Sequence, residues 1–215
     1  MPKIHFRDGG VWKDATVKKR SNSAWVDADV FVYEGGKWNN ATKQTITKTW
    51  TSIWSRSYQG DGTKRADSQY GNTRMYQGEY NDAWNSWGLQ RSMMAFNMTA
   101  IRADLSGAEI KDVKLYLKNY HWYFSSGGTA VIGLHNSMSE PTTFQQTYYS
   151  WKQEFFSGRG QSKWVDIGEQ IGRTMRDGNH SGFTLMSQHS NHKYYGYFYG
   201  ADSAYAPKLQ ITYVK

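Results

Sequence analysis

The residues with the clearest capacity for chemistry stand at 80–87, where Tyr80, Trp84 and Trp87 are interleaved with Asn81, Asp82 and Asn85. An aromatic ring is a platform for a sugar: the apolar C–H face stacks on the π cloud, and rim amides or carboxylates bond the hydroxyls. The segment is too polar for a core strand, so its tryptophans either plug a sheet edge or meet a ligand. Two further segments are rich in rings. Residues 120–124 (Tyr-His-Trp-Tyr-Phe) continue a strand pattern, so alternation buries about half of them and packing is expected. Residues 194–199 (Tyr-Tyr-Gly-Tyr-Phe-Tyr) are aromatic on both faces of a strand. One face must pack inward; the other, around Tyr195, meets a second sheet, a partner subunit or a ligand, and burial is the expectation.

Metal and catalytic chemistry find less support. His189 and His192 lie in a polar stretch without a third ligand at a diagnostic spacing, which reads as a solvated loop. Asp61, Gly62 and Asp67 lack the dense Asp/Asn alternation of a calcium loop and read as a turn. The chain holds no cysteine, no Gly-x-Ser-x-Gly elbow, no His-Glu-x-x-His pair and no phosphate-cradling glycine loop. Glu79 with Asp82, beside Trp84, is the one carboxylate pair to inspect for glycoside chemistry. The sequence therefore predicts a protein without catalysis, cofactor or metal.

The elements that must carry these residues follow from composition and spacing. There are 35 aromatic residues in 215, against 25 of Leu, Ile and Val together, which speaks for β-structure over a helical bundle. Near the start, Trp12, Trp25 and Trp38 recur every 13 residues, preceded by Asp8-Gly9-Gly10, Ser21-Asn22-Ser23 and Glu34-Gly35-Gly36. Such turn formers between alternating residues are hairpin signals, so residues 3–48 predict a meander of about four strands. One such unit cannot bury its tryptophan alone. From about Trp50 the period vanishes and strand patterns take over. Val113, Leu115 and Leu117 face one way while Lys114, Tyr116 and Lys118 face the other. Alternation at 91–98 puts Met94, Phe96 and Met98 on one side, and 130–134, 182–186, 194–199 and 209–214 continue the series. Asp166 and Glu169 form a capping box ahead of Ile171 and Met175, predicting at most one short helix near 166–176.

The expected domains are 1–48, the Trp-repeat meander, and 49–215, an antiparallel sandwich with Phe96, Met98, Val113, Leu115, Leu117, Leu185, Leu209 and Ile211 in its core. The formal charge of +8 is split evenly between 1–48 and the remainder, so no concentrated patch points to nucleic acid. Apolar runs of a few residues predict no membrane span, and the N-terminus lacks the apolar stretch of a signal peptide.

Three segments of the larger part carry a resemblance. Gln90 to Met98 resembles the arginine-led strand of DNRLRE-type domains, a jelly-roll family grouped with carbohydrate-binding modules. Residues 108–117 resemble the strand that follows it there, and 182–185 with 207–213 resemble the closing strands. The N-terminal Gly-Gly-x-Trp units are similar to short repeats of tail proteins from phages and prophages of Gram-positive bacteria. In this order, the two parts resemble a phage tail or baseplate receptor-binding protein. The resemblance implies an all-β jelly roll in a homotrimer on the virion, acting outside the cell. It further implies a partner in host-wall polysaccharide or teichoic acid, besides other tail proteins. The alternative it leaves open is a purely structural tail-tip or baseplate component whose aromatics form subunit interfaces.

Overall fold

A computed structural model of the chain describes residues 4–28, 30–34, 36–40, 43–65, 72–80 and 88–215. Two compact units divide it, Met1–Ile46 with Val214–Lys215, and Thr47–Tyr213.

The first unit is a row of three β-hairpins: β1 (Ile4–Asp8) with β2 (Val11–Ala15), β3 (Lys18–Ser21) with β4 (Ala24–Asp27), and β5 (Phe31–Glu34) with β6 (Lys37–Asn40). The turns are tight because their residues accept positive φ: Gly9 and Gly10 (56° and 86°), Asn22 and Ser23 (46° and 69°), and Gly36 (81°). Each tryptophan takes the same register, opposite the residue five positions earlier: Arg7↔Trp12, Arg20↔Trp25 and Tyr33↔Trp38. The expected four-stranded meander is thus corrected to six strands in three separate two-stranded sheets. Thirteen residues hold two strands of four or five plus their turn, so each repeat closes on itself rather than adding one strand to a growing sheet. Trp25 and Trp38 remain 68% and 69% exposed.

The second unit is an antiparallel β-sandwich, the all-β fold that the alternation predicted. One layer has the order β13 (Tyr148–Phe156), β12 (Gly128–His135), β15 (Gly182–Met186), β10 (Arg91–Ala95), β8 (Trp54–Tyr58). The other runs β7 (Thr45–Thr51), β17 (Lys208–Val214), β11 (Glu109–Trp122), β16 (Gly196–Tyr199), β9 (Arg74–Gln77), with β14 (Ser162–Asp166) also paired to β11. From β8 to β12 the chain changes layer at every strand, the wrapped connectivity of a jelly roll. All eight core residues expected from the sequence are buried at 2% exposure or less.

Two helices are present where one was expected. α2 (Glu169–Arg176) packs Ile171 and Met175 inward as predicted, but its N-cap is Gly168; Asp166 ends β14 and accepts the Gly168 N–H at 2.9 Å. α1 (Met98–Leu105) replaces the end of the predicted 91–98 strand. Asn97 causes the switch: its side chain accepts the Ala100 N–H at 3.1 Å, an N-cap that satisfies a donor the helix leaves open. Met98, Ile101 and Leu105 then fall on one buried face at helical spacing.

Candidate functional site

Of the residues singled out at 80–87, Tyr80 lies within the described structure, whereas Asn81, Asp82, Trp84, Asn85 and Trp87 lie outside the described residues. The Tyr80 ring is half-buried, 5.6 Å from Tyr123 and 5.2 Å from Tyr195 between centroids. It marks one end of an aromatic surface, the outer face of the six-stranded sheet.

The inner side of this sheet fixes the outer one. Leu115, Leu117, Asn119 and Trp122 of β11 and Phe198 of β16 point into the sandwich and are fully buried. By alternation Tyr116, Lys118 and Tyr120 of β11, Tyr197 and Tyr199 of β16, and Arg74 and Tyr76 of β9 share the opposite face. Cross-strand register sets Tyr197 beside Tyr76 with centroids 4.7 Å apart, and Tyr116 beside Trp164 at 5.3 Å. A register shift between Asn119 and His121 adds a ring, because it turns Tyr120 and His121 outward in succession. Both stack on Tyr197, at 5.1 Å and 20° and at 5.2 Å and 22°. The buried Asn119 amide holds the shift in place, donating to the His121 carbonyl at 2.8 Å and the Tyr197 carbonyl at 3.2 Å.

Loops extend the surface at both ends. Tyr205 packs edge-on to Tyr199 at 4.9 Å, and Tyr123 lies 4.0 Å from His192. Tyr120, Trp164 and Tyr205 are open to solvent, 43%, 42% and 43% exposed. Cations lie among them: the Arg74 guanidinium is 5.0 Å from the Tyr120 centroid, and the Lys118 ammonium 3.3 Å from that of Tyr205. Burial lowers the pKa of His121, with Arg159 adding to the effect, so the ring on Tyr197 is neutral at pH 7. Burial also pushes the Tyr195 phenol up, which keeps it a hydrogen-bond donor at physiological pH.

The expected packing of 120–124 holds for Trp122, while Tyr120 and Phe124 are exposed. In 194–199 Phe198 goes inward, and Tyr195, Tyr197 and Tyr199 are half-buried, which corrects the expectation of burial for the second face. Trp164 and Tyr205 escaped sequence reading. Each is a lone ring in a polar stretch, and its partner lies 48 residues away for Trp164 and across the 200–207 loop for Tyr205.

The remaining candidates resolve as local structure. Asp61 accepts both the N–H and the hydroxyl of Thr63 at 2.8 Å, a self-satisfied turn, and Asp67 lies outside the described residues. His189 stacks on Tyr194 at 5.0 Å. Among the described residues no group of three His, Cys, Asp or Glu stands together as a metal site. Glu79 is half-buried, and its candidate partner Asp82 lies outside the described residues. No described helix is long and apolar enough to cross a membrane.

No protein-family model matches the chain, and no curated protein matches it.

Proposed function

We propose that this chain is a non-catalytic receptor-binding protein of a phage tail that recognises a host cell-surface glycan through the outer face of its six-stranded sheet. The observation that carries the reading is the ring density there: nine tyrosines, a tryptophan and two histidines, each in contact with at least one other ring, several open to solvent. A sandwich that needed only to fold would present threonine, lysine and glutamate on such a face. Rings held rigid by neighbours lose little entropy on stacking against a sugar, which suits a shallow site without catalysis. From the sequence we also propose Trp84 and Trp87, which follow Tyr80 in the chain, as stacking residues, with Asn81, Asp82 and Asn85 as their polar rim. The tail assignment rests on the resemblance of Trp units followed by a jelly roll, and the trimer on that resemblance together with the surplus of aromatic residues.

A second reading, a structural tail-tip or baseplate component, draws on the first unit, where Trp25 and Trp38 are exposed at equivalent hairpin positions. Two-stranded hairpins are marginal alone and gain most from apolar partners. A glycan-array screen of the intact chain, followed by Trp84→Ala and Trp87→Ala variants on the best glycan, separates the readings. Losing a stacking tryptophan is expected to cost about 2 kcal/mol of binding, roughly thirtyfold, with the melting temperature retained. Variants that keep binding but lose about 3–5 kcal/mol of stability would make the tryptophans plugs and favour the structural reading.

A further inference from the structure

The outer face carries ammonium groups between its rings. Lys118 stands between Tyr116 and Tyr120 on β11, and outward residues two apart on a strand are separated by about 6.6–6.8 Å. Its Nζ lies 3.3 Å from the Tyr205 centroid and 5.6 Å from that of Tyr199; on β17, Lys208 Nζ lies 5.6 Å from that of Tyr116. Among the described residues, neither ammonium has a carboxylate within ion-pair distance, although both are held in place over rings. Of the nearby carboxylates, the two on the strands lie beyond Tyr116 and are engaged, and Asp202 stands in the loop that carries Tyr205. Asp112 pairs with Lys114 at 3.0 Å, and Asp166 accepts the Gly168 N–H at 2.9 Å. The ring-bearing stretch thus presents positive charge that its own fold does not neutralise.

We propose that this stretch binds an acidic polysaccharide, a sugar or polyol chain bearing phosphate or carboxylate groups. The proposal rests on the glycan-binding reading of the face and narrows it to one class of chain. Tyr116, Tyr120, Trp164 and Tyr205 take the apolar C–H faces, and Lys118 and Lys208 take the anionic groups between them. Lysine suits that task because its compact charge imposes no bidentate geometry, so a phosphate diester and a uronate carboxylate are both accepted. A π-bound ammonium is also partly desolvated and pre-positioned, which lowers the cost of engaging an anion.

The test uses the full chain and four immobilised probes: poly(glycerol phosphate), polygalacturonate, neutral dextran and duplex DNA. At least one acidic polysaccharide is expected to bind tenfold or more tighter than dextran and DNA. That binding should weaken several-fold between 50 and 300 mM salt, as exposed charges are screened. A Lys118→Gln/Lys208→Gln variant, altered only at surface positions, should lose three- to tenfold on the acidic probe and melt as the parent does. Phosphate and carboxylate chains are told apart by which probe binds. A neutral glycan preferred over both acidic chains overturns the acidic assignment and leaves the aromatic face standing. DNA bound as tightly as the acidic polysaccharide overturns it in favour of unspecific polyanion attraction. An unchanged double variant overturns the role of the two lysines. No polysaccharide bound at all overturns this proposal together with the reading on which it rests.

Discussion

Gly196→Ala is expected to destabilise the protein by about 3 kcal/mol, the upper end for overpacking a tight core, and to lower the melting temperature by roughly 6–12 °C. The reason is Trp122, the largest fully buried side chain of the sandwich. Its benzo edge runs between two glycines, Gly196 of the six-stranded sheet and Gly128 of the five-stranded sheet. A Cβ on either would lie 2.3 Å from Trp122 Cε3. Backbone closes the other exits, since the His121 carbonyl oxygen is 2.7 Å from a Cβ at 196 and the Lys193 carbonyl oxygen 2.6 Å from one at 128. Neither ring nor backbone can move far, because Phe156 and Phe198 hold the indole at centroid distances of 6.2 and 5.4 Å. Gly196 also sits directly between Tyr195 and Tyr197, so the same substitution should disturb the aromatic face. Gly158→Ala is the control: its Cβ meets only the Ser125 carbonyl oxygen at 3.8 Å, and thermal unfolding should be nearly unchanged.

Acid should weaken the fold through one histidine. His135 is fully buried in β12, between the Met94 carbonyl, 2.9 Å from Nε2, and the Ser137 N–H, 3.1 Å from Nδ1. Because Ser137 donates to Nδ1, the proton of the neutral ring belongs on Nε2, where it is given to Met94. Burial holds the pKa down at about 4, against an ordinary value of 6.5. The unfolded chain therefore binds a proton between pH 6.5 and 4 that the folded chain refuses. Stability is full above about 6.5, falls as the pH drops toward 4, and levels off below it. The loss is about 3 kcal/mol at one pKa unit per 1.4 kcal/mol. Burial lowers the pKa of His121 and His180 too, so they act in the same direction. Urea unfolding at pH 7 and pH 4.5 measures the difference, and a His135→Gln variant should show less of it. A His135 Cε1–H resonance titrating near 6.5 in the folded protein would refute the assignment.

Much of the sandwich was legible because alternation is a local signal. Val113, Leu115 and Leu117 announce their face, and β15 and β17 appear within a residue of their observed limits. α1 was hidden because Met94, Phe96 and Met98 fit a strand pattern, while one Asn97 cap decides the conformation beyond Ala95. The hairpin row was misread as a meander for a related reason: the 13-residue period counts repeats but does not say how many strands each one holds. The aromatic face was only half legible. Tyr116 and Tyr195 were visible as outward residues, yet the shift that turns both Tyr120 and His121 outward depends on the buried Asn119 amide bridging two strands. Nothing local encodes that bridge.

The claim that the outer face is a ligand surface meets its most direct test in a Tyr120→Ala variant assayed against the best glycan from the array. Tyr120 is 43% exposed and touches Tyr197 and Tyr199 without filling the core, so its melting temperature should stay close to the parent's. Affinity is expected to fall about thirtyfold, the loss of roughly 2 kcal/mol that a central aromatic contact carries. Unchanged affinity in a variant that melts normally would contradict the claim and leave the tyrosines as packing between subunits.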